Sequence, residues 1–217
     1  MGAVKSNFLL PVLFVSVFAL SRLPGLLPGN FSVVYAFVFC AGVFFPRNLV
    51  WWLPLVAIFA TDIGLNFYWQ HHGAEEVWSA ANLANLAFNY AAYAALLLLG
   101  RKFKPQTSLV KLVGGGLFGA ILFYLITNTA SWFFNPFHNP EYTKTITGWI
   151  IALTKGTGGF PTTLEFFRNT LLSGGLFTAL FAAASKLAAE SPADKTAGAR
   201  EPAAAEEPAG ETEEAKA

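Results

Sequence analysis

Six stretches of mostly apolar residues divide the first 187 positions of the chain, and they decide what it can fold into. They run from Phe8 to Leu23, Phe31 to Phe45, Leu49 to Trp69, Ala80 to Leu99, Leu109 to Phe134 and Phe166 to Leu187. About 20 mostly apolar residues carry an α-helix through a bilayer. A soluble fold has no use for so many such runs, because its surface needs charge. Here 54% of the 217 residues are hydrophobic and only 12% are charged, about half the charged share of a soluble domain. The expected fold is therefore all-α and integral to the membrane, with six transmembrane helices in one bundle over residues 1–188. The first two runs are short, so they tilt little or extend into the interface.

The first run also has the makings of a secretory signal, with Lys5 ahead of the apolar core Phe8 to Leu20. No small-x-small cleavage site follows, and Arg22-Leu23-Pro24 is a poor one, so a retained helix is expected. Between the fifth and sixth runs lies Asn135 to Glu165. Its apolar piece Gly148 to Leu153 is too short to cross and is confined by Lys144, Lys155 and the run Gly156-Thr157-Gly158-Gly159. A short interfacial or re-entrant helix is the expectation there. Residues 189–217 are rich in Ala, Glu and Pro without apolar periodicity and read as a disordered acidic cytoplasmic tail.

The net charge of +1 conceals an asymmetry. The tail holds eight acids and three bases, so residues 1–188 hold five acids and eleven bases. Positive-inside sorting produces such a basic membrane body. The bases are scattered and form no stripe, so nucleic acid is not an expected partner. The loop Arg101-Lys102-Phe103-Lys104 is the most basic short connection and should be cytoplasmic. The loop His71 to Glu76 has no Lys or Arg and should lie outside. Six spans then put both termini in the cytoplasm of a bacterial inner membrane.

Polar groups inside a bilayer are costly and face the bundle interior or a water-filled cavity. With that orientation, the polar residues of the runs gather toward the outer side. Asp62 and Asn66 share a helix face, as do Asn82, Asn85 and Asn89, and Asn128 and Trp132. Arg22 ends the first run, and Arg168 and Asn169 open the sixth. The inner halves hold small residues such as Gly42, Gly114, Gly115, Gly116 and Gly119, which let helices approach closely. A polar outer half above a sealed inner half describes a cup. A through-pore needs polar lining across the full depth.

Each of these residues also has a plainer reading. Asp62, the one acid within a run, contacts a ligand, proton or cation, or pairs with Arg22 or Arg168. The asparagines bind ligand or join helices. Arg168 at a helix start favours an anionic ligand or anchors to a headgroup. Trp132 stacks on a ligand ring or belongs to the aromatic belt. His71 with Glu75, and His72 with Glu76, give two metal ligands each where zinc sites use three or four, so no metal is expected. Cys40 stands alone, which excludes a disulfide framework or a CxxC site. No phosphate loop, nucleophile elbow or His-Glu-x-x-His pattern occurs. No cofactor or enzymatic activity is expected, and any uphill transport needs a partner subunit or an ion gradient.

The segment Phe166 to Leu180, with Arg168-Asn169-Thr170-Leu171-Leu172, resembles the closing signature of the bacterial membrane family of unknown function DUF6580. Ala19 to Pro24, Asn30-Phe31-Ser32 and Leu122 to Trp132 with Thr127-Asn128 are similar to other pieces of it. The likeness covers roughly residues 8–187 and implies a transport protein. Relatives often carry an acid soon after the Arg-Asn-Thr-Leu-Leu run, where this chain has Ser173-Gly174-Gly175. The architecture is more distantly similar to the substrate-binding S subunits of energy-coupling-factor (ECF) vitamin transporters. Those are six-helix proteins that take a ligand from the outer face and depend on energising partner subunits. The alanine-x-x-x-alanine docking motif of their first helix is missing here. The expected function is capture or transport of a small polar or anionic metabolite. Arg22, Asp62, Asn66, Asn82, Asn85, Asn89, Asn128, Trp132, Arg168 and Asn169 are expected to line the cup. A structural protein without ligand and an intramembrane enzyme using Asp62 and a histidine are the alternatives.

Overall fold

The computed structural model describes residues 3–189, and every regular element among them is a helix. In order these are α1 (Ala3–Ser21), α2 (Val34–Phe44), α3 (Leu53–His71), α4 (Ala80–Gly100), α5 (Leu109–Phe134), α6 (Ile146–Thr154) and α7 (Thr163–Ala189). At about 1.5 Å per residue, α4, α5 and α7 reach about 32, 39 and 40 Å, more than the roughly 30 Å of a bilayer's apolar core. These three are long and apolar enough to cross a membrane, which marks the chain as a membrane protein. Leu98, Phe118, Leu172, Leu176 and Leu180 stand about half exposed on their outer faces, as lipid-facing side chains do.

The second run departs most from expectation. Its helix has 11 residues, not the 15 from Phe31 to Phe45, so α2 is about 16 Å long, half a bilayer. At its start, Val34 N–H donates to Ser32 Oγ at 3.2 Å. At its end, Phe45 is extended (φ −76°, ψ 144°), because Pro46 disfavours helical backbone in the residue before it. The chain then turns, with Leu49 and Val50 N–H both donating to Pro46 O. The next helix waits until Leu53, where Pro54 fits its first turn. The sixth run also starts earlier than expected. Thr162 and Glu165 form a capping box: Glu165 N–H donates to Thr162 Oγ1 at 3.3 Å and Thr162 N–H to Glu165 Oε2 at 2.7 Å. The helix between the fifth and sixth runs, α6, has nine residues and is too short to cross. The tail expected to begin at residue 189 lies outside the described residues, apart from Ala189 at the end of α7.

α2 is apolar on every side, which suits a helix in a core or in lipid, and here protein encloses it. Val34 to Val43 are all buried. α1, α3, α4, α5 and α7 pack around it. Phe18 of α1 stacks on Phe37 of α2 at 4.6 Å, and Phe14 of α1 on Phe181 of α7 at 4.1 Å. The bundle is tightest at the end where α2 finishes. A Cβ on Gly100 would lie 2.2 Å from Phe39 O, and one on Gly42 2.6 Å from Leu97 O. α2 and α4 therefore meet backbone to backbone. α5 and α7 also meet closely, since a Cβ on Gly116 of α5 would lie 2.2 Å from Thr178 Oγ1 of α7. Toward the other end α2 stops early while its neighbours continue, and the bundle is left hollow.

Candidate functional site

The hollow is a cavity of about 750 Å³, within the 300–1,000 Å³ usual for ligand pockets. Val34 and Tyr35 at the start of α2 form its floor. Its walls come from the ends of α4, α5 and α7 that project past α2. The rim comes from the α1–α2 connection and the loops on either side of α6, including Phe137, Asn139, Tyr142 and Phe160.

The α4 wall carries Asn85, Asn89 and Tyr93, spaced by four and therefore stacked on one face. Asn85 and Asn89 have no side-chain hydrogen bond to the protein among the described residues, whereas the other amides nearby are occupied. Asn82 Nδ2 donates to Val77 O at 3.2 Å, and Asn128 Nδ2 donates to Tyr124 O at 2.8 Å. That bond leaves Asn128 Oδ1 as an acceptor on the α5 wall. Tyr93 and Phe123 stack at 5.3 Å, and Tyr124 and Phe167 at 4.1 Å, so rings back the polar groups. At the rim, burial and the neighbouring Glu141 carboxylate both push the Tyr142 phenol above its usual pKa.

Arg22 also lines the cavity, at the end of α1. Its Nη2 donates to Asp62 Oδ1 of α3, and the Tyr90 hydroxyl donates to Asp62 Oδ2 at 3.1 Å. Asp62 is therefore behind the wall, neutralising Arg22, and Arg168 is not its partner. Arg22 Nε is buried without a partner among the described residues.

The ten residues expected to line the cup thus separate. Arg22, Asn85, Asn89 and Asn128 meet in one cavity, with Asp62 held to Arg22. Asn66, Asn82, Trp132, Arg168 and Asn169 are not brought into it. Asn66 Nδ2 donates to Val77 O at 3.4 Å, and Asn82 follows the α4 cap, where Ser79 Oγ accepts its N–H at 3.2 Å. Both amides hold the α3–α4 turn. Trp132 Nε1 donates to Thr143 O at 2.7 Å, under the Lys144 ammonium at 5.7 Å. Asn169 Nδ2 donates to Gly29 O at 2.9 Å, tying α7 to the α1–α2 connection, and Arg168 is exposed. Sequence reasoning missed Tyr35, Tyr93, Tyr124, Tyr142, Asn139 and Phe167. Of these only Tyr93 carried a signal, as the next step of four beyond Asn89.

A family model of unknown function, DUF6580, matches residues 3–197. The chain belongs to this family. The match takes in all seven helices of this DUF6580 protein and every wall of its cavity. No curated protein and no solved structure matches it.

Proposed function

We propose that this DUF6580 protein crosses a bacterial inner membrane six times, with both termini in the cytoplasm, and captures a small polar metabolite from outside for transport. α2 makes its passage with the help of buried irregular flanks. Non-helical backbone is tolerated at membrane depth where it is enclosed by protein or lines a cavity; Phe45, Leu49 and Val50 are buried, and Phe31 and Ser32 line the hollow. Exposed Arg47, Arg101, Lys102, Lys104 and Lys111 flank the packed end, which supports a cytoplasmic location for that end.

The observation that carries the reading is the cavity itself. It opens at one end, is shut by glycine crossings at the other, and presents Asn85 and Asn89 unoccupied. Amides at helix contacts would be spent on each other. Binding is favoured over catalysis, because the hydroxyls of the described lining have no His, Asp, Glu or Lys among the other lining residues to activate them. Substrate capture without a nucleotide-binding motif also implies a partner subunit or an ion gradient, and the parallel with ECF S subunits is one of architecture.

Thermal-shift screening of the purified full-length protein against small metabolites tests the reading. A stabilising compound whose effect disappears in Asn85→Leu/Asn89→Leu supports it. A compound that stabilises the double variant equally binds elsewhere and counts against the cavity. Orientation is checked separately: a cysteine at His138 is expected to react with a membrane-impermeant maleimide on intact cells, and one at Lys104 only after permeabilisation. The reverse pattern would turn the cavity inward.

A further inference from the structure

We infer that the cavity takes an uncharged, flat heterocycle with a hydrogen-bond donor and acceptor side by side along one edge, as in a ring amide. The inference rests on the binding role above and adds the chemical class. Charge decides the first point. A charge removed from water needs a partner. Arg22 is the one charged residue in the described lining, and Asp62 already compensates it. An anionic ligand sharing Arg22 would come up beside the Asp62 carboxylate that already holds it, and one that drew Arg22 away would leave that carboxylate with the Tyr90 hydroxyl alone. A cation finds no carboxylate among the described lining residues. The neutral pair therefore disfavours a charged ligand of either sign.

Side-chain amides decide the second point. Each unoccupied amide, Asn85 and Asn89, offers an acceptor and two donors in one plane. This is the arrangement that reads the edge of a heterocycle through paired hydrogen bonds. They stand one turn apart on one wall, so they address a single edge. Shape is the third point. Tyr93, Phe123, Tyr124 and Phe167 line the cavity together with the amides, so aromatic rings make up much of the wall that a flat ligand would meet.

Calorimetric titration of the full-length protein in lipid nanodiscs tests this with matched probes: nicotinamide against nicotinate, uracil against orotate, and D-glucose. At least one neutral heterocycle is expected to bind at least about tenfold more tightly than its acid, the ratio that one unpaired buried group produces. Acids binding as tightly as their neutral partners, or glucose alone binding, overturns the inference and leaves the binding role intact. If none of the five binds to folded protein at millimolar concentration, the inference is overturned, and the metabolite screen with Asn85→Leu/Asn89→Leu decides the binding role on its own. Asn89→Leu should weaken the neutral probe about tenfold or more. Asn89→Gln, which keeps the amide but displaces it, covers the case where the leucine variant does not fold. An unchanged affinity in either folded variant overturns the inference.

Discussion

Gly100→Ala puts one methyl group where α2 and α4 cross. The new Cβ would lie 2.2 Å from Phe39 O, with Gly42 Cα at 3.0 Å and Phe39 C at 3.1 Å. Ordinary contact begins at 3.4 Å, so the helices must separate by about 1.2 Å, because none of these atoms can rotate away. The hydrogen now on that bond points at the carbonyl, a weak Cα–H···O contact worth about 0.5–1 kcal/mol. Overpacking adds about 1–3 kcal/mol, and replacing a helical glycine returns up to about 1 kcal/mol. The balance is a loss of about 1–3 kcal/mol, or roughly 2–12 °C in the unfolding midpoint of a chain this size. Gly114 is the control, since a Cβ there meets nothing within 4 Å, and Gly114→Ala should hold or raise the midpoint. Both variants can be followed by tryptophan fluorescence on heating in detergent. Equal midpoints for Gly100→Ala and Gly114→Ala would refute the backbone contact between α2 and α4.

Other perturbations probe the cap, the ion pair and the rim. Ser79→Ala removes the α4 cap and should cost about 1 kcal/mol in denaturant unfolding, while Ser79→Asp should retain most of it. Asp62→Asn leaves Arg22 without its counter-charge. Breaking a fully buried pair costs about 3–5 kcal/mol, and the 23% and 10% side-chain exposure of Arg22 and Asp62 lowers the expectation to about 2 kcal/mol. Arg22→Met/Asp62→Leu should recover most of that loss, and a double variant no better than the single one would contradict it. The Tyr142 phenol has a folded pKa above its ordinary 10.0. Its contribution to stability is therefore complete below about pH 10 and is lost as pH rises through the folded value. Glu141→Gln should bring that ionisation down, as read from the absorbance difference against Tyr142→Phe.

The helical class and most of the apolar runs were legible because unbroken hydrophobic stretches admit few other solutions. The true length of α2 was not, although Pro46 stood in plain view. Phe44, Phe45, Leu49 and Val50 continue the apolarity past the helix end, and an enclosed turn is as hydrophobic as an enclosed helix. Thr162 and Glu165 carried a readable cap, but hydropathy placed the run's start at Phe166. In the cavity, Asn85 and Asn89 were found by spacing. Asn66 and Asn82 shared it, yet they lie at helix ends, where the Val77 carbonyl claims both amides. Which arginine faces Asp62 depends on how α1 and α7 pack, and no local pattern encodes that. The tyrosines of the lining were lost among other aromatic residues of the runs.

The brevity of α2 works as a gauge. Its first turn is the floor, so the depth of the chamber is set by how many residues α2 has and not by the long helices around it. One more helical turn would raise that floor by about 5.4 Å and displace whatever rested on Tyr35, while the glycine crossing below stayed untouched. Ligand size in this architecture can therefore be retuned at the Ser32 end of one short helix, independently of the contacts that hold the bundle shut.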